Sequence, residues 1–412
     1  MNKNKSNGIN TLLAGYYKVS VVDSETDEVV WEQDEIKKNL ILNCGMDHIA
    51  LDIFANQMIY GVCGTGTRSN SVSPGQSVLS QAGSLLTLNV SGSGLAHLTQ
   101  SVTDYVSAVE VGDSIQYGDG NQSIVLSVTD LSASVDTSFS YTSQSFTIWK
   151  TSQPGLQAEV KRSNAYVNGA CGGSGPTNYI MSMWRTYDFS VEVSPTIYNE
   201  AAVSWAATIG SGNSVLNRIV FPLPVTVNAS QKLRLYYQLN VMLAPTASAP
   251  RPNVTVTGWP VGPSTNTNGS ESIQYLSPSY GISSINADGT IYANGNRSAL
   301  EPSDNNSGIF ISTNSASLAT YGTGIGRATG ETWAVNILTN GPYITGSYTL
   351  AKTATFSAVS FNASNLRSMG LGATGGAASQ NYYAFVFDQP QTKTNTQTLT
   401  LSFVYSWGRV LA

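Results

Sequence analysis

Few side chains in this sequence have the types and spacing that catalysis requires. The only histidines that could act as bases are His48 and His97, and Gly112-Asp113-Ser114 lies where a turn between strands is expected, not at a strand-to-helix elbow. The 25 acidic residues include no pair that the sequence singles out for glycan cleavage. We therefore expect no catalytic residues and no enzyme activity.

The sequence also lacks the usual patterns of metal and cofactor sites. Cys44, Cys63 and Cys171 are an odd set without metal-type spacing, which favours free thiols. The acidic run at 23–28 lacks the glycine and the closing glutamate of a calcium loop, and the glycine-rich segments carry no Lys-Ser/Thr pair for phosphate. We expect neither a metal nor a cofactor.

The composition excludes several classes of partner. Charged residues make up 11% of the 412 residues, against about a quarter in ordinary soluble domains, and Ser, Thr and Asn take their place. The formal net charge is −5 and the basic residues are scattered singly, which argues against binding to nucleic acid. No run of 18 apolar residues and no signal peptide occur, so membrane insertion is not expected, and synthesis in a reducing cytoplasm fits the cysteine content.

The amino-terminal segment differs from the rest because positions 1–38 hold twelve charged residues. Tyr16–Val22 and Val29–Gln33 flank an acidic turn, which predicts a charged β-hairpin. Met46, Ile49, Ile53 and Phe54 then recur at helical spacing, which predicts one helix of about three turns.

An internal repeat is the strongest pattern in the sequence. Residues 219–241 align without gaps on residues 385–407, and Arg185-Thr-Tyr-Asp-Phe-Ser aligns on Lys352-Thr-Ala-Thr-Phe-Ser with one residue of slippage. The identical pairs in the main segment are Val220/Val386, Phe221/Phe387, Pro224/Pro390, Thr226/Thr392, Gln231/Gln397, Leu233/Leu399 and Leu235/Leu401. Both segments end in strict alternation of apolar and polar residues, which is typical of a long antiparallel strand with one wet face.

The remainder of the chain is short segments punctuated by Gly, Ser, Asn and Pro, so the sequence predicts a mainly β protein. We expect two related antiparallel β-sandwich units and one short amino-terminal helix. The predicted division is 1–60 for the hairpin and helix, 61–248 for the first unit with an inserted β-module at about 105–150, and 249–412 for the second unit.

Several blocks resemble a poorly characterised group of tailed-bacteriophage virion proteins encoded among tail and fibre genes. These blocks are Asn39-Leu-Ile-Leu-Asn-Cys-Gly-Met-Asp-His-Ile-Ala, Val62-Cys-Gly-Thr-Gly-Thr, Trp184-Arg-Thr-Tyr-Asp-Phe-Ser, Tyr198-Asn-Glu, Arg218-Ile-Val-Phe-Pro-Leu-Pro-Val-Thr-Val, Leu233-Arg-Leu-Tyr-Tyr and Ser406-Trp-Gly-Arg. The resemblance implies a non-enzymatic component located in the virion, and it carries no active-site residues. A neutral, ion-poor surface over long strands is consistent with an assembly protein that is present in several symmetric copies.

We expect residues 1–60 to attach the protein to other virion proteins, and their removal to leave a folded chain. The residues predicted to make this attachment are Tyr16, Tyr17, Trp31, Met46, Ile49 and Ile53. The alternative is a tail fibre protein that binds a host receptor or surface glycan, with its sugar contacts at Trp259, Tyr275, Tyr280 and Tyr292. A polysaccharide depolymerase is a third, less favoured reading.

Overall fold

The fold was obtained as a computed structural model of the 412-residue chain. The residues that it describes are 8–52, 54–67, 71–72, 77–82, 85–90, 110–129, 132–136, 141–144, 146–152, 155–172, 180–208, 215–243, 253–257, 269–273, 284–285, 291–292, 307–313, 333–337, 339–360, 362–373 and 381–411. The prediction of a mainly β protein is confirmed.

Strands make up most of the described chain. In chain order they are β1 (Gly8–Asp23), β2 (Val29–Glu32), β3 (Lys37–Ile41), β4 (Tyr60–Gly64), β5 (Ser71–Val72), β6 (Ser77–Ala82), β7 (Leu85–Val90), β8 (Ser114–Tyr117), β9 (Gln122–Thr129), β10 (Ser132–Val135), β11 (Tyr141–Gln144), β12 (Phe146–Trp149), β13 (Glu159–Ser163), β14 (Tyr166–Gly172), β15 (Ile180–Asp188), β16 (Thr196–Ser204), β17 (Asn217–Val227), β18 (Gln231–Leu243), β19 (Asn253–Thr257), β20 (Gly269–Ile273), β21 (Ser284–Ile285), β22 (Ile291–Tyr292), β23 (Ser307–Ser312), β24 (Trp333–Ile337), β25 (Thr339–Asn340), β26 (Thr349–Phe356), β27 (Ala363–Ala373), β28 (Asn381–Lys393) and β29 (Thr398–Arg409). The helical elements are α1 (Asn43–His48) and a 3₁₀ turn at Phe54–Met58.

The sequence repeat coincides with a repeat in strand pairing. Seven antiparallel pairings among β1, β3, β4 and β13–β18 recur in the same chain order among β19, β20 and β23–β29. Arg185 pairs with Tyr237 and Lys352 pairs with Phe403, which preserves the alignment of the two sequences. The equivalent pairs β16/β17 and β27/β28 also have a bulge at the same place, after Tyr198↔Val225 in the first repeat and after Leu366↔Gln391 in the second.

The turn that joins each closing pair of strands explains one identical residue. The Gln231 side chain accepts a hydrogen bond from the Asn228 N–H at 2.9 Å, and the Gln397 side chain accepts one from the Thr394 N–H at 2.9 Å. Each glutamine thus satisfies a backbone donor that the turn would otherwise leave open.

The alternation predicted for the closing strands is confirmed. Leu233, Leu235, Tyr237, Leu239 and Val241 are all fully buried on one face of β18. In β29, residues Leu399, Tyr405 and Trp407 are buried in the same way. The inward faces of β1, β15 and β18 and those of β4, β16 and β17 contribute to one hydrophobic cluster. Because β3 pairs with both β1 and β17, all of these strands belong to one hydrogen-bonded sheet. The division into two sandwich layers stays a prediction.

Strand β1 lies at the centre of the largest sheet. One edge pairs with β18 from Thr11 to Asp23, and the other edge pairs in succession with β29, β3 and β2. The β1/β29 pairing is parallel and joins the first repeat to the last strand of the second.

Strand β1 belongs to the segment 1–60, which the sequence predicts to be a separable attachment segment, and the structure places this strand within the largest sheet. Nine of the twelve charged residues that marked the segment lie in 23–38, whereas Leu12–Tyr17 is an apolar run that the sheet buries or half-buries. Removing 1–60 would expose the facing edges of β18 and β29 together.

The helix is also shorter than predicted. It ends at His48, after six residues, and its amino terminus has no side-chain cap. Met46, Ile49 and Phe54 are nevertheless buried in the main cluster, so the periodicity identified the core face correctly.

The carboxyl-terminal strand holds this short helix in place. Trp407 donates its indole N–H to the Met46 carbonyl at 2.8 Å, and Arg409 bonds the Ile41 carbonyl at 2.8 Å and the Asn43 side chain. The terminal Ser406-Trp-Gly-Arg block therefore has a structural explanation, since two of its side chains dock the two ends of the chain.

The inserted module is larger than the 105–150 predicted. Strands β5 to β12 form one eight-stranded sheet that runs from Ser71 to Trp149. The difference arises because β5 pairs with β12, a contact between distant segments that no local pattern announces.

A buried carboxylate ties both stems of the module to the first unit. Glu200 accepts the N–H groups of Gly66 at 3.2 Å, Gln157 at 3.1 Å and Ala158 at 2.7 Å, together with the Arg218 Nε at 2.9 Å. Both ionic side chains are almost fully buried. These bonds offset the cost of removing the two charges from water.

Replacing this carboxylate should be costly. We expect Glu200→Ala to lower the free energy of unfolding by about 3–5 kcal/mol, because it leaves a buried cation and open backbone donors. Urea unfolding measures the loss, and Glu32→Ala, which breaks the exposed pair with Lys18, should cost less than about 1 kcal/mol. Equal losses in the two variants would contradict this account of Glu200.

Strand β1 gives a second test. We expect a chain without residues 1–24 to show no cooperative thermal transition in near-ultraviolet circular dichroism, because both repeats lose their shared strand. A chain without residues 1–7 is the control and should melt like the full chain. A cooperative transition in the chain without residues 1–24 would show that β1 is dispensable.

Candidate functional site

The most distinctive surface is the segment 23–38, called here the acidic hairpin. It carries seven acidic and two basic residues, a net charge of −5 that equals the net charge of the whole chain. The other residues of the protein therefore balance to zero. Cations from outside the segment pair with two of its acids, Lys18 with Glu32 and both Lys232 and Arg234 with Asp27, and the other five acids leave the surface net acidic.

The acidic hairpin also exposes apolar side chains. Val29, Val30 and Trp31 of β2 are 54%, 55% and 43% exposed, and Ile36 is 52% exposed. Among the described strands β2 pairs only with β1, so its second edge is an open row of backbone groups. An exposed apolar edge strand is a ready surface for another chain.

The turn of the acidic hairpin is held rigidly by its own side chains. The Asp23 carboxylate accepts the N–H groups of Glu25 and Thr26, each at 3.0 Å, and these bonds hold the pKa of Asp23 below its usual range. Ser24 donates its N–H to the Ser230 carbonyl at 3.1 Å, which fixes the turn against the start of β18.

A network of two acids and two bases anchors the turn to the sheet. Lys232 lies 2.8 Å from both Asp27 and Asp188, and Arg234 lies 2.8 Å from Asp27 and 2.6 Å from Asp188. Burial opposes ionisation of Asp188, but the bonds from Arg234 and Lys232 outweigh it and lower its pKa. The bonds from Lys232 and then Arg234 also lower the pKa of Asp27.

The structure separates the residues predicted for attachment into two groups. Trp31 is exposed on the hairpin and Tyr16 is half-buried on the outer face of β1, whereas Ile53 lies outside the described residues. Tyr17, Met46 and Ile49 are buried in the core. Their apolar periodicity serves to pack the helix and β1, and their role as contact residues stays a prediction.

The residues predicted to bind glycan are mostly untested. Trp259, Tyr275 and Tyr280 lie outside the described residues. Tyr292 belongs to β22, which pairs with β21.

The two cysteines whose side chains are described, Cys44 and Cys63, are not joined in a disulfide. Burial raises the pKa of the Cys44 thiol to about 11 and that of Cys63 well above its usual value. His48 bonds Gln57 at 2.8 Å and stacks on Trp205, and burial lowers its pKa. Within the described ranges, no group of three or more His, Cys, Asp or Glu side chains could hold a metal ion. The described part of the chain also contains no helix with the length and apolar character to span a bilayer.

Comparison with known proteins gives no relative: no protein-family model, no curated protein and no solved structure matches this chain. The function of the protein is therefore inferred from its own residues.

The anchoring network predicts acid sensitivity. The pKa of Asp188 is lower in the folded than in the unfolded protein, so its stabilising effect is complete above the unfolded value of about 3.9 and is lost as the pH falls through the folded value. Asp188→Asn should lower the free energy of unfolding at pH 7 by about 1–2 kcal/mol and flatten its decline below pH 4.

Urea titrations at pH 7 and pH 3 test this expectation. Glu25→Gln is the matched control, because no ion pair is described for the exposed Glu25 and its removal should leave both values nearly unchanged. An identical pH profile for Asp188→Asn and the unmutated protein would refute the role given to this network.

Proposed function

We propose that this protein is a non-enzymatic structural component of a tailed-phage virion, associated with the tail as part of a collar, baseplate or fibre. The acidic hairpin attaches it to another virion protein. The strongest support is that one segment, 23–38, has a net charge equal to that of the whole chain and also contains an open edge strand with exposed apolar side chains at Val29–Trp31.

The charge indicates what kind of partner fits. Two copies of the acidic hairpin would repel each other, because each carries −5. A partner with an extended, basic and apolar strand would instead gain backbone pairing, burial of Trp31 and charge complementarity. Several symmetric copies on one particle would use other surfaces for contacts between like chains.

The rigid turn supports the same role. Because Asp23, Asp27 and Ser24 already fix the hairpin against β18, little conformational entropy is lost when a partner binds. Because the pKa values of Asp23 and Asp27 are lowered, these two carboxylates keep their charge to a lower pH than an ordinary aspartate.

Incorporation into particles tests this function. In purified virions, quantitative immunoblotting should detect the unmutated protein, and the double variant Val30→Ser, Trp31→Ser should be at least about tenfold depleted, equivalent to about 1.4 kcal/mol of lost binding. The reason is that both changes remove apolar contact area from the edge strand without touching the core.

Val193→Ser is the matched control, because Val193 is 93% exposed on a different loop. Absence of the unmutated protein from virions would refute the virion role. Normal incorporation of the double variant would refute only the attachment through β2.

A further inference from the structure

A second surface lies on the outer face of the central sheet, away from the acidic hairpin. Tyr16, Gln238 and Trp184 occupy one row across β1, β18 and β15. Residues directly opposite in neighbouring strands project to the same side, so these three side chains share a face. Tyr236 and Asn240 lie two residues on either side of Gln238 along β18 and therefore belong to it too. These five residues are called here the aromatic-amide face.

The aromatic rings form a partly exposed platform. The rings of Trp184 and Tyr236 lie 5.9 Å apart between centroids, with 31° between their planes. Tyr16 lies two strands away from Trp184, which is a separation of about 10 Å. All three rings are half-buried, since neighbouring side chains support them from the sides while part of each remains open.

The polar groups of the face are oriented by a chain of hydrogen bonds. The Tyr236 hydroxyl donates to Gln238 Oε1 at 2.7 Å, and Gln238 Nε2 donates to Asn240 Oδ1 at 2.7 Å. A side-chain amide has two donor hydrogens and two acceptor lone pairs, so each amide retains capacity beyond these single bonds. These two hydrogen bonds fix which side-chain atoms are offered to a ligand.

The charge of the face selects among ligand classes. Two lysines adjoin the face: Lys38 of β3 lies opposite Tyr16, and Lys18 lies opposite Tyr236 and is paired with Glu32 at 2.6 Å. Nucleic acid needs several cations along its backbone, which this face does not supply. An apolar protein surface would bury the amides without partners, at a cost in desolvation.

We propose that the aromatic-amide face binds a neutral polysaccharide. Sugar rings would lie against Tyr16, Trp184 and Tyr236, and sugar hydroxyls would exchange hydrogen bonds with Gln238 and Asn240. The site goes beyond the assembly role and is independent of it, because it uses different residues. It also differs from the aromatic residues at 259–292 that the sequence suggested.

Affinity electrophoresis of the full-length protein tests the proposal. The probes are dextran, laminarin and yeast mannan as neutral polymers, and dextran sulfate as the charged counterpart of dextran. At least one neutral polymer should retard the protein, and Trp184→Ala should weaken that binding at least tenfold. Trp31→Ala, which removes an indole from the acidic hairpin, should bind like the unmutated protein.

A second variant separates loss of binding from loss of folding. Gln238→Glu retains the size of the side chain but places a carboxylate among the aromatic and amide side chains of the face, and it too should weaken binding at least tenfold while melting near the unmutated protein. The proposal is overturned if no neutral polymer retards the protein, if both variants bind normally, or if dextran sulfate binds more tightly than dextran. Trp184→Ala should still enter virions, so a negative result for sugar binding leaves the attachment test unaffected.

Discussion

The pairing of β1 with strands of both repeats is the interaction on which the rest of the structure depends. A lone repeat would end in an open strand edge, which is a liability for any β protein. Here β29 of the second repeat covers residues 8–13 of β1 in parallel, while β18 covers the opposite edge along thirteen positions. This parallel pairing joins segments from the two ends of the chain, from Gly8↔Val404 to Leu13↔Arg409, and long-range pairing of this kind forms slowly in folding.

The same pairing explains the contacts at the carboxyl terminus. Once β29 lies beside β1, Trp407 reaches Met46 and Arg409 reaches Ile41 and Asn43. Asn43 in turn donates its side-chain N–H to the Gly112 carbonyl of the inserted module at 2.6 Å. One strand pairing therefore joins the second repeat, the helix and the module, although few charged side chains take part. In an ion-poor protein, backbone pairing and buried polar contacts supply the cohesion that surface ion pairs would contribute only weakly.

Periodicity in the sequence was sufficient to predict what depends on local pattern. The alternation in β18 and β29, the charged hairpin and the apolar face of the helix region all have a signal within about ten residues, because side-chain direction follows strand or helix geometry. The same apolar pattern predicts burial, and Tyr17, Met46 and Ile49 are indeed buried in the core. An aromatic residue in an apolar row is more often packed than offered to a partner.

Features that depend on distant pairing could not be predicted in this way. The extent of the module follows from β5 meeting β12, and the aromatic-amide face exists only because β15 and β1 both lie beside β18. Trp184 and Tyr236 are 52 positions apart, and their sequence neighbourhoods contain nothing that places their rings together. The internal repeat was the one long-range signal in the sequence, and it indicated equivalent closing strands without showing that seven pairings recur.

The geometry of β1 also relates the two proposed surfaces. Trp31 lies opposite Val21, whose side chain points to the buried side of β1, whereas Tyr16 points to the outer side. Glu32 lies opposite Ser20 and Val29 opposite Val22, on the side of Tyr16, so the acidic hairpin presents groups on both sides of β1. Tyr16 and the hairpin turn at Asp23 are separated by seven residues, or about 23 Å along the strand. In the proposal that a partner strand pairs with β2, this separation along β1 would leave Tyr16 open to the proposed sugar ligand.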